Sequence, residues 1–254
     1  LADPTPILHT FLVDPYLARN FRIDGVVTVV DAATGPDTLD RQFEAVSQVA
    51  MADLLVLSKV DLVSKSRSGA LKIRLRSLNP TADILRADHG VVPTAALWDL
   101  SGMRPQGTSE QAMAWLIPPA PAFISRDPFN NLSGFAPSSV PTAPLPKHDA
   151  RIGSASIVLN DPIPPDAFDR WLDTLISLRG PDILRVKGIV HLIGIEMPFV
   201  FHGVQHLFDP PVPLHDWLGS TRQSRIVVIG RDITRSELVY SFEMLRTLQT
   251  AETV

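Results

Sequence analysis

Ser58-Lys59-Val60-Asp61 follows directly on the apolar run Leu54-Leu55-Val56-Leu57. A buried parallel strand puts the loop at its carboxyl end on the rim where open α/β sheets bind ligands. At such a rim an Asp carboxylate can accept two hydrogen bonds, from N1–H and the 2-amino group of guanine; adenine lacks that donor pair. The stem of Lys59 can lie along the plane of a base while its ammonium stays solvated. Ser58 is a weaker third member, because its hydroxyl reaches less far than an amide side chain. The same four residues also fit a polar loop that simply opens the next helix. Asp31 ends the run Val26-Val27-Thr28-Val29-Val30 in a similar way. It either faces the same crevice or starts a turn ahead of Gly35-Pro36.

The histidines offer a second chemistry. His202 and His206 are four apart, which on a helix would suit one metal ion. The segment Val200 to Phe208 reads as a strand, where four residues span about 13 Å, too far for a shared ion. A hairpin with Glu196-Met197 as its two-residue turn instead sets His191 opposite His202. Their Cβ atoms would then be roughly 5 Å apart, close enough to share a metal or a proton. The alternative is two histidines on a sheet surface. In that register Lys187 opposes His206 and disfavours a cation there by like-charge repulsion.

These residues need elements to hold them. Val26–Val30 and Leu54–Leu57 read as strands buried on both faces of a parallel sheet, with Ile84-Leu85 as a short third. Helices are expected over about 4–17, from Thr38 to Ala50 and from Ser66 to Leu78, the last stopped by Asn79-Pro80. Strand–helix alternation of this kind predicts a parallel sheet packed by helices. Eight prolines between Pro118 and Pro146 remove backbone donors and predict a linker or loop. After Arg151 the spacing predicts a strand from Ser154 to Leu159 and a helix opened by Pro164-Pro165. That helix presents Phe168, Trp171, Leu172, Leu175 and Ile176 on one side, with Trp171 as core, and ends at Gly180-Pro181. The hairpin of Ile183–Ile195 and Phe199–Phe208 comes next, then a strand from Arg225 to Gly230. Thr234 and Glu237 form a capping box for a last helix to about Leu248.

Composition sets limits. The 254 residues are 45% hydrophobic and 20% charged with a net charge of −4, so the chain can build a sizeable core. A nucleic-acid binder relying on bulk positive charge is excluded. There is no cysteine, hence no disulfide and no thiolate metal site in these residues. The most apolar stretch, Gly188 to Val204, carries His191, Glu196, Pro198 and His202, which argues against a membrane span.

Taken in order, Asp24 to Ala32, Gln48-Val49-Ala50 with Ala52-Asp53, and Ser58-Lys59-Val60-Asp61-Leu62 resemble the CobW family of P-loop GTPases, whose guanine motif is N/T-K-x-D. Arg185-Val186-Lys187-Gly188, His202-Gly203-Val204-Gln205-His206 and Ile229-Gly230-Arg231-Asp232 are similar to that family's C-terminal domain. The resemblance implies an α/β fold: an incomplete parallel-sheet nucleotide-binding domain of P-loop GTPase type (1–117), a Pro-rich linker or loop (118–150), and a smaller α+β domain (151–254). It assigns Ser58, Lys59 and Asp61 to the guanine nucleotide and leaves His191 and His202 as metal candidates.

The family's Walker A loop, C-x-C-C metal motif and acidic switch motif do not occur here. The sequence is therefore expected to be the C-terminal portion of a longer protein, with no catalytic residue of its own and no GTP hydrolysis alone. For the full-length protein the resemblance implies GTP with Mg²⁺, delivery of zinc or cobalt to a client protein, a link to cobalamin biosynthesis, a cytoplasmic setting and a possible homo-oligomer. Neither nucleic acid nor membrane is expected as a partner. The competing reading is a non-catalytic client-binding or oligomerisation module.

Overall fold

The computed structural model describes residues 2–87, 89–98, 100, 149–205, 207–208, 211–214 and 223–246. The Pro-rich segment 118–146, His206 and Trp217 lie outside the described residues.

The first half is a parallel sheet in the order β1 (Val27–Asp31), β2 (Leu54–Ser58), β3 (Asp83–Arg86). Register pairs Val27 with Leu54 and Asp31 with Ser58, so both candidate acidic loops leave the sheet at the same end. Helices α3 (Gly35–Arg41), α4 (Phe43–Met51) and α5 (Lys65–Leu78) pack Leu39, Val46, Val49, Leu71, Leu75 and Leu78 against Val30, Leu55 and Leu57 on one face. The other face carries Leu54 and Val56, covered by Val92, Leu97 and Leu100. That cover stops short of β1. Val27 and Val29 are 40% and 66% exposed, so β1 is buried on one face only, not on both as its composition predicts.

Two of the helices expected in the first half are broken. The stretch before residue 20 divides into α1 (Thr5–Val13) and α2 (Pro15–Asn20), because Pro15 drives Asp14 into extended backbone at ψ 122°. Asp14 then caps α2, accepting from the backbone N–H groups of Tyr16 and Leu17 at 2.9 Å. The expected 38–50 helix divides at Gln42 (φ −123°, ψ 111°), and α3 begins at Gly35-Pro36.

Asn79 does more than stop α5. Its buried Nδ2 donates to the carbonyls of Val49, Ala50 and Ala52 at 2.8, 3.1 and 2.8 Å. Its Oδ1 accepts from the N–H groups of Thr81 and Ala82 and from the Thr81 hydroxyl. One amide thus satisfies the last carbonyls of α4 and the turn into β3.

The second half is an antiparallel sheet. Strands β4 (Ile152–Leu159), β5 (Ile183–Val190), β6 (Phe199–Val204), β7 (Leu207–Phe208) and β9 (Ser224–Arg231) run in the order β4-β9-β5-β6-β7, and β8 (Val212–Pro213) pairs with β6. One face packs on α6 (Pro165–Arg179), which buries Ala167, Phe168, Trp171 and Leu175. Trp171 is fully buried, as its spacing predicts. The opposite face packs Leu184, Ile189, Val200, Val227 and Ile229 on Leu8, Ala50 and Met51 of the first half. Burial from both sides explains why every residue of β5 is buried. The capping box of Thr234 and Glu237 is present and opens α7 (Arg235–Ser241), followed by a separate short α8 (Glu243–Arg246) where one helix is expected.

The hairpin register differs from the sequence expectation by four residues. Val190 pairs with Phe199 and Lys187 with His202, so the connection is the eight-residue loop His191–Pro198. Residues 191–193 leave β6 and bond to Ile163 instead: Ile163 N–H donates to the His191 carbonyl at 2.8 Å, and Ile193 N–H to the Ile163 carbonyl at 2.9 Å. Gly194 then turns the chain at φ +83°. His191 and His202 are therefore not cross-strand partners. None of the helices among the described residues is long and apolar enough to cross a membrane.

Candidate functional site

β2 delivers Ser58, Lys59 and Asp61 to the carboxyl end of the sheet. Lys59 takes the left-handed conformation (φ 54°, ψ 33°), and Val60–Leu62 form a single turn of 3₁₀ helix anchored by buried Val60. This tight exit turns Asp61 out to solvent. Among the described residues its carboxylate makes no hydrogen bond or ion pair, leaving both oxygens open as acceptors. A non-glycine residue at positive φ is uncommon and marks a loop whose conformation is held by its neighbours.

One of those neighbours is Asp31. Its Oδ2 lies 2.7 Å from Lys59 Nζ, and its Oδ1 accepts the backbone N–H groups of Ala33 (2.7 Å) and Thr34 (3.1 Å). Partial burial pushes the Asp31 carboxyl up, but Lys59 and the N–H groups of Thr34 and Ala33 outweigh it and hold the carboxyl down to about 2. Asp31 raises the Lys59 ammonium in turn. Asp31 thus starts the turn, as one of its two readings has it, and ends its strand at the same end of the sheet as Ser58. Ser58 contributes mainly backbone, its carbonyl accepting Ala32 N–H at 2.9 Å while its hydroxyl makes only a 3.5 Å contact with the Val30 carbonyl.

The two histidines are buried separately. The His191 N–H donates to Ser224 Oγ at 2.9 Å. His202 Nδ1 lies 3.4 Å from Arg185 Nη2; since a guanidinium only donates, that contact engages the Nδ1 lone pair. Among the described residues no group of three or more His, Cys, Asp or Glu side chains is placed to hold a metal ion.

A cluster that motif reading missed joins the two halves. Asp53 Oδ1 lies 2.5 Å from Arg185 Nη2 and 2.7 Å from Lys187 Nζ, all three side chains being at most 4% exposed. Burial raises the Asp53 carboxyl, but Arg185, Lys187 and the Val26 N–H together hold it down to about 2. Burial lowers Lys187 to about 8, with Asp53 opposing and Arg185 adding to the shift. A signal was available: Arg185 and Lys187 alternate within an all-apolar strand, so both face one way, and two buried cations call for a buried anion.

Comparison with known proteins follows the same division of the chain. Residues 1–86 match the CobW/HypB/UreG nucleotide-binding domain, and residues 152–246 match the cobalamin synthesis protein cobW C-terminal domain. The zinc chaperone YjiA of Escherichia coli is 26% identical over 246 residues, spanning 97% of this chain and 68% of the relative. The zinc-regulated GTPase metalloprotein activator 1 of Schizosaccharomyces pombe is 26% identical over 254 residues, spanning 92% of this chain and 59% of the relative. The crystal structure of Zn(II)-bound YjiA GTPase from E. coli superposes with a TM-score of 0.72 at 25% identity, over 97% of this chain and 68% of that one. With both halves matched in order, and a parallel sheet followed by an antiparallel one, the chain belongs to the CobW-like family.

Proposed function

We propose that this chain is the base-reading and C-terminal part of a GTP-dependent metal-delivery protein, with Asp61 reading guanine, Lys59 lying along the base and Ser58 bordering it. The observation that carries this reading is the solvent-facing carboxylate of Asp61, without a partner among the described residues, just beyond the carboxyl end of a parallel strand and close in the chain to a lysine pinned by Asp31. An open carboxylate with a lysine stem close by in the chain is the donor–acceptor chemistry that a guanine base would use. The 254 residues contain no G-x-x-G-x-G-K-[ST] loop to cradle phosphates, so GTP hydrolysis and Mg²⁺ belong to a protein in which such a loop is joined to this one. Turnover by these residues alone is expected at background.

Zinc is the favoured cargo, supported by relatives named as a zinc chaperone and a zinc-regulated activator. Cobalt for cobalamin synthesis is the second choice, and a cytoplasmic client protein the receiver. Replacing Asp61 by Asn tests the base reading. The amide presents a donor where guanine also donates, so preference for GTP over XTP should fall at least tenfold, in line with the loss of a charge-assisted hydrogen bond. Unchanged preference would remove Asp61 from the site.

A second reading, that the C-terminal domain is a client-binding or oligomerisation module without catalysis, draws on the loop His191–Pro198. It exposes Ile193, Ile195 and Met197 (52%, 48% and 39%) in a row. Deleting residues after Pro146 from the protein that turns over GTP separates the two readings: turnover retained with client binding lost favours the module.

A further inference from the structure

The amino ends of all three parallel strands meet at Asp53. Its backbone N–H donates to the Val26 carbonyl at 2.8 Å, and its carbonyl accepts Asp83 N–H at 3.3 Å. Its Oδ2 accepts Val26 N–H at 2.9 Å. Val26 leads into β1 and Asp83 begins β3, so one residue joins the starts of β1, β2 and β3. The remaining oxygen, Oδ1, is the one held by Arg185 and Lys187 from the C-terminal sheet.

Cohesion alone does not require this arrangement. The two halves already share an apolar contact of Leu8, Ala50 and Met51 with Ile189, Val200 and Ile229. Burying three charges in the same interface carries a heavy desolvation penalty, and apolar residues of similar size often hold such an interface as well or better. What a buried ionic cluster adds is a single geometry. β2 is only five residues long, about 16 Å at ~3.3 Å per residue. Its far end carries Ser58–Asp61.

We propose that Arg185 and Lys187 are positioning residues: by gripping Asp53 they set the amino ends of the three-stranded sheet, and through β2 they fix the conformation of the loop Ser58–Asp61. The C-terminal domain thereby becomes part of the nucleotide site without touching it. The nucleotide consequence rests on the guanine reading above; the effect on loop conformation does not.

The test uses the full chain with all three charges replaced, Asp53→Asn, Arg185→Met and Lys187→Met together, so that no buried charge is left unpaired and a side-chain oxygen at 53 still accepts Val26 N–H. If the cluster positions the loop, this variant melts no lower than the original, while amide hydrogen exchange of residues 58–62 speeds up at least tenfold. A merely structural cluster would lower global stability and speed exchange throughout both halves. Unchanged exchange at 58–62 in a folded variant overturns the proposal. So does a variant that is destabilised throughout. Saturable binding of guanosine diphosphate by the original chain should weaken at least tenfold in the variant, and equal binding by both also overturns it. If the original chain shows no guanine preference at all, the guanine reading fails, and the exchange measurement alone decides the positioning role.

Discussion

Lys59 Nζ lies 2.7 Å from Asp31 Oδ2, bridging the carboxyl ends of two strands that their register sets side by side. The pair ties the ammonium of Lys59 to the start of the turn that follows β1. Because Lys59 is 58% exposed, the pair contributes little to global stability. Asp31→Asn is therefore expected to cost about 1 kcal/mol or less at neutral pH in urea denaturation. The sign with pH is definite. A carboxyl held down to about 2 stabilises the fold above its ordinary value of 3.8 and loses that contribution as pH falls through 2. The difference between original and variant should close between about pH 4 and 2; a gap that persists in acid would contradict it.

Burial shifts Lys187 the opposite way from the ion-paired Lys59. Burial brings it from 10.5 to about 8, in a cluster with Asp53, Arg185 and, across the strand pair, His202, with Asp83 adding a more distant negative charge. Between pH 8 and 10.5 the unfolded chain holds a proton that the folded chain has released, so folding stability contributed by this group rises with pH. The original chain should gain stability relative to Lys187→Met as pH goes from 8 to 10. At pH 7 the Met variant, which leaves the Asp53–Arg185 pair intact, should be at least as stable as the original. Parallel stability curves for the two proteins would refute the assignment.

Gly188 lies opposite Phe201, and a Cβ built on it would come 2.1 Å from Phe201 Cε1. Phe201 is packed edge-on to Phe168 at 5.2 Å within the core, so a shift of its ring disturbs that contact. Gly188→Ala is expected to destabilise by about 1–3 kcal/mol through overpacking. Adding Phe201→Leu should recover part of that loss, measurable as a coupling energy in a double-mutant cycle.

Asn79→Ala would remove the side-chain partner of three carbonyls and three donors around α4 and β3, of which the Val49 carbonyl keeps the Ala52 N–H. Each buried group costs about 1–3 kcal/mol when unsatisfied, and partial relaxation brings the expected loss to roughly 3–5 kcal/mol. A change below about 1 kcal/mol would show that water replaces the amide without penalty.

Much of this protein was legible in the residues themselves. The run Leu54–Leu57 reads as a buried strand and Ser58-Lys59-Val60-Asp61 after it as a loop on a sheet rim, because strand length and polarity are local properties. Trp171 on its apolar helix face and the Thr234–Glu237 capping box follow from helical spacing alone. Three expected helices broke, and only Asp14-Pro15 gave local notice; Gln42 and Phe242 gave none. The hairpin register was not legible, because the choice between pairing residues 191–193 with β6 or with Ile163 is made by a segment some thirty residues earlier in sequence. The same holds for Asp53. Ala52-Asp53 entered the family resemblance without a role, and the two cationic partners of Asp53 lie more than 130 residues away. Local patterning set the elements and the chemistry each carries; only packing between the two sheets, where desolvation forces opposite charges together, decided which of those residues meet.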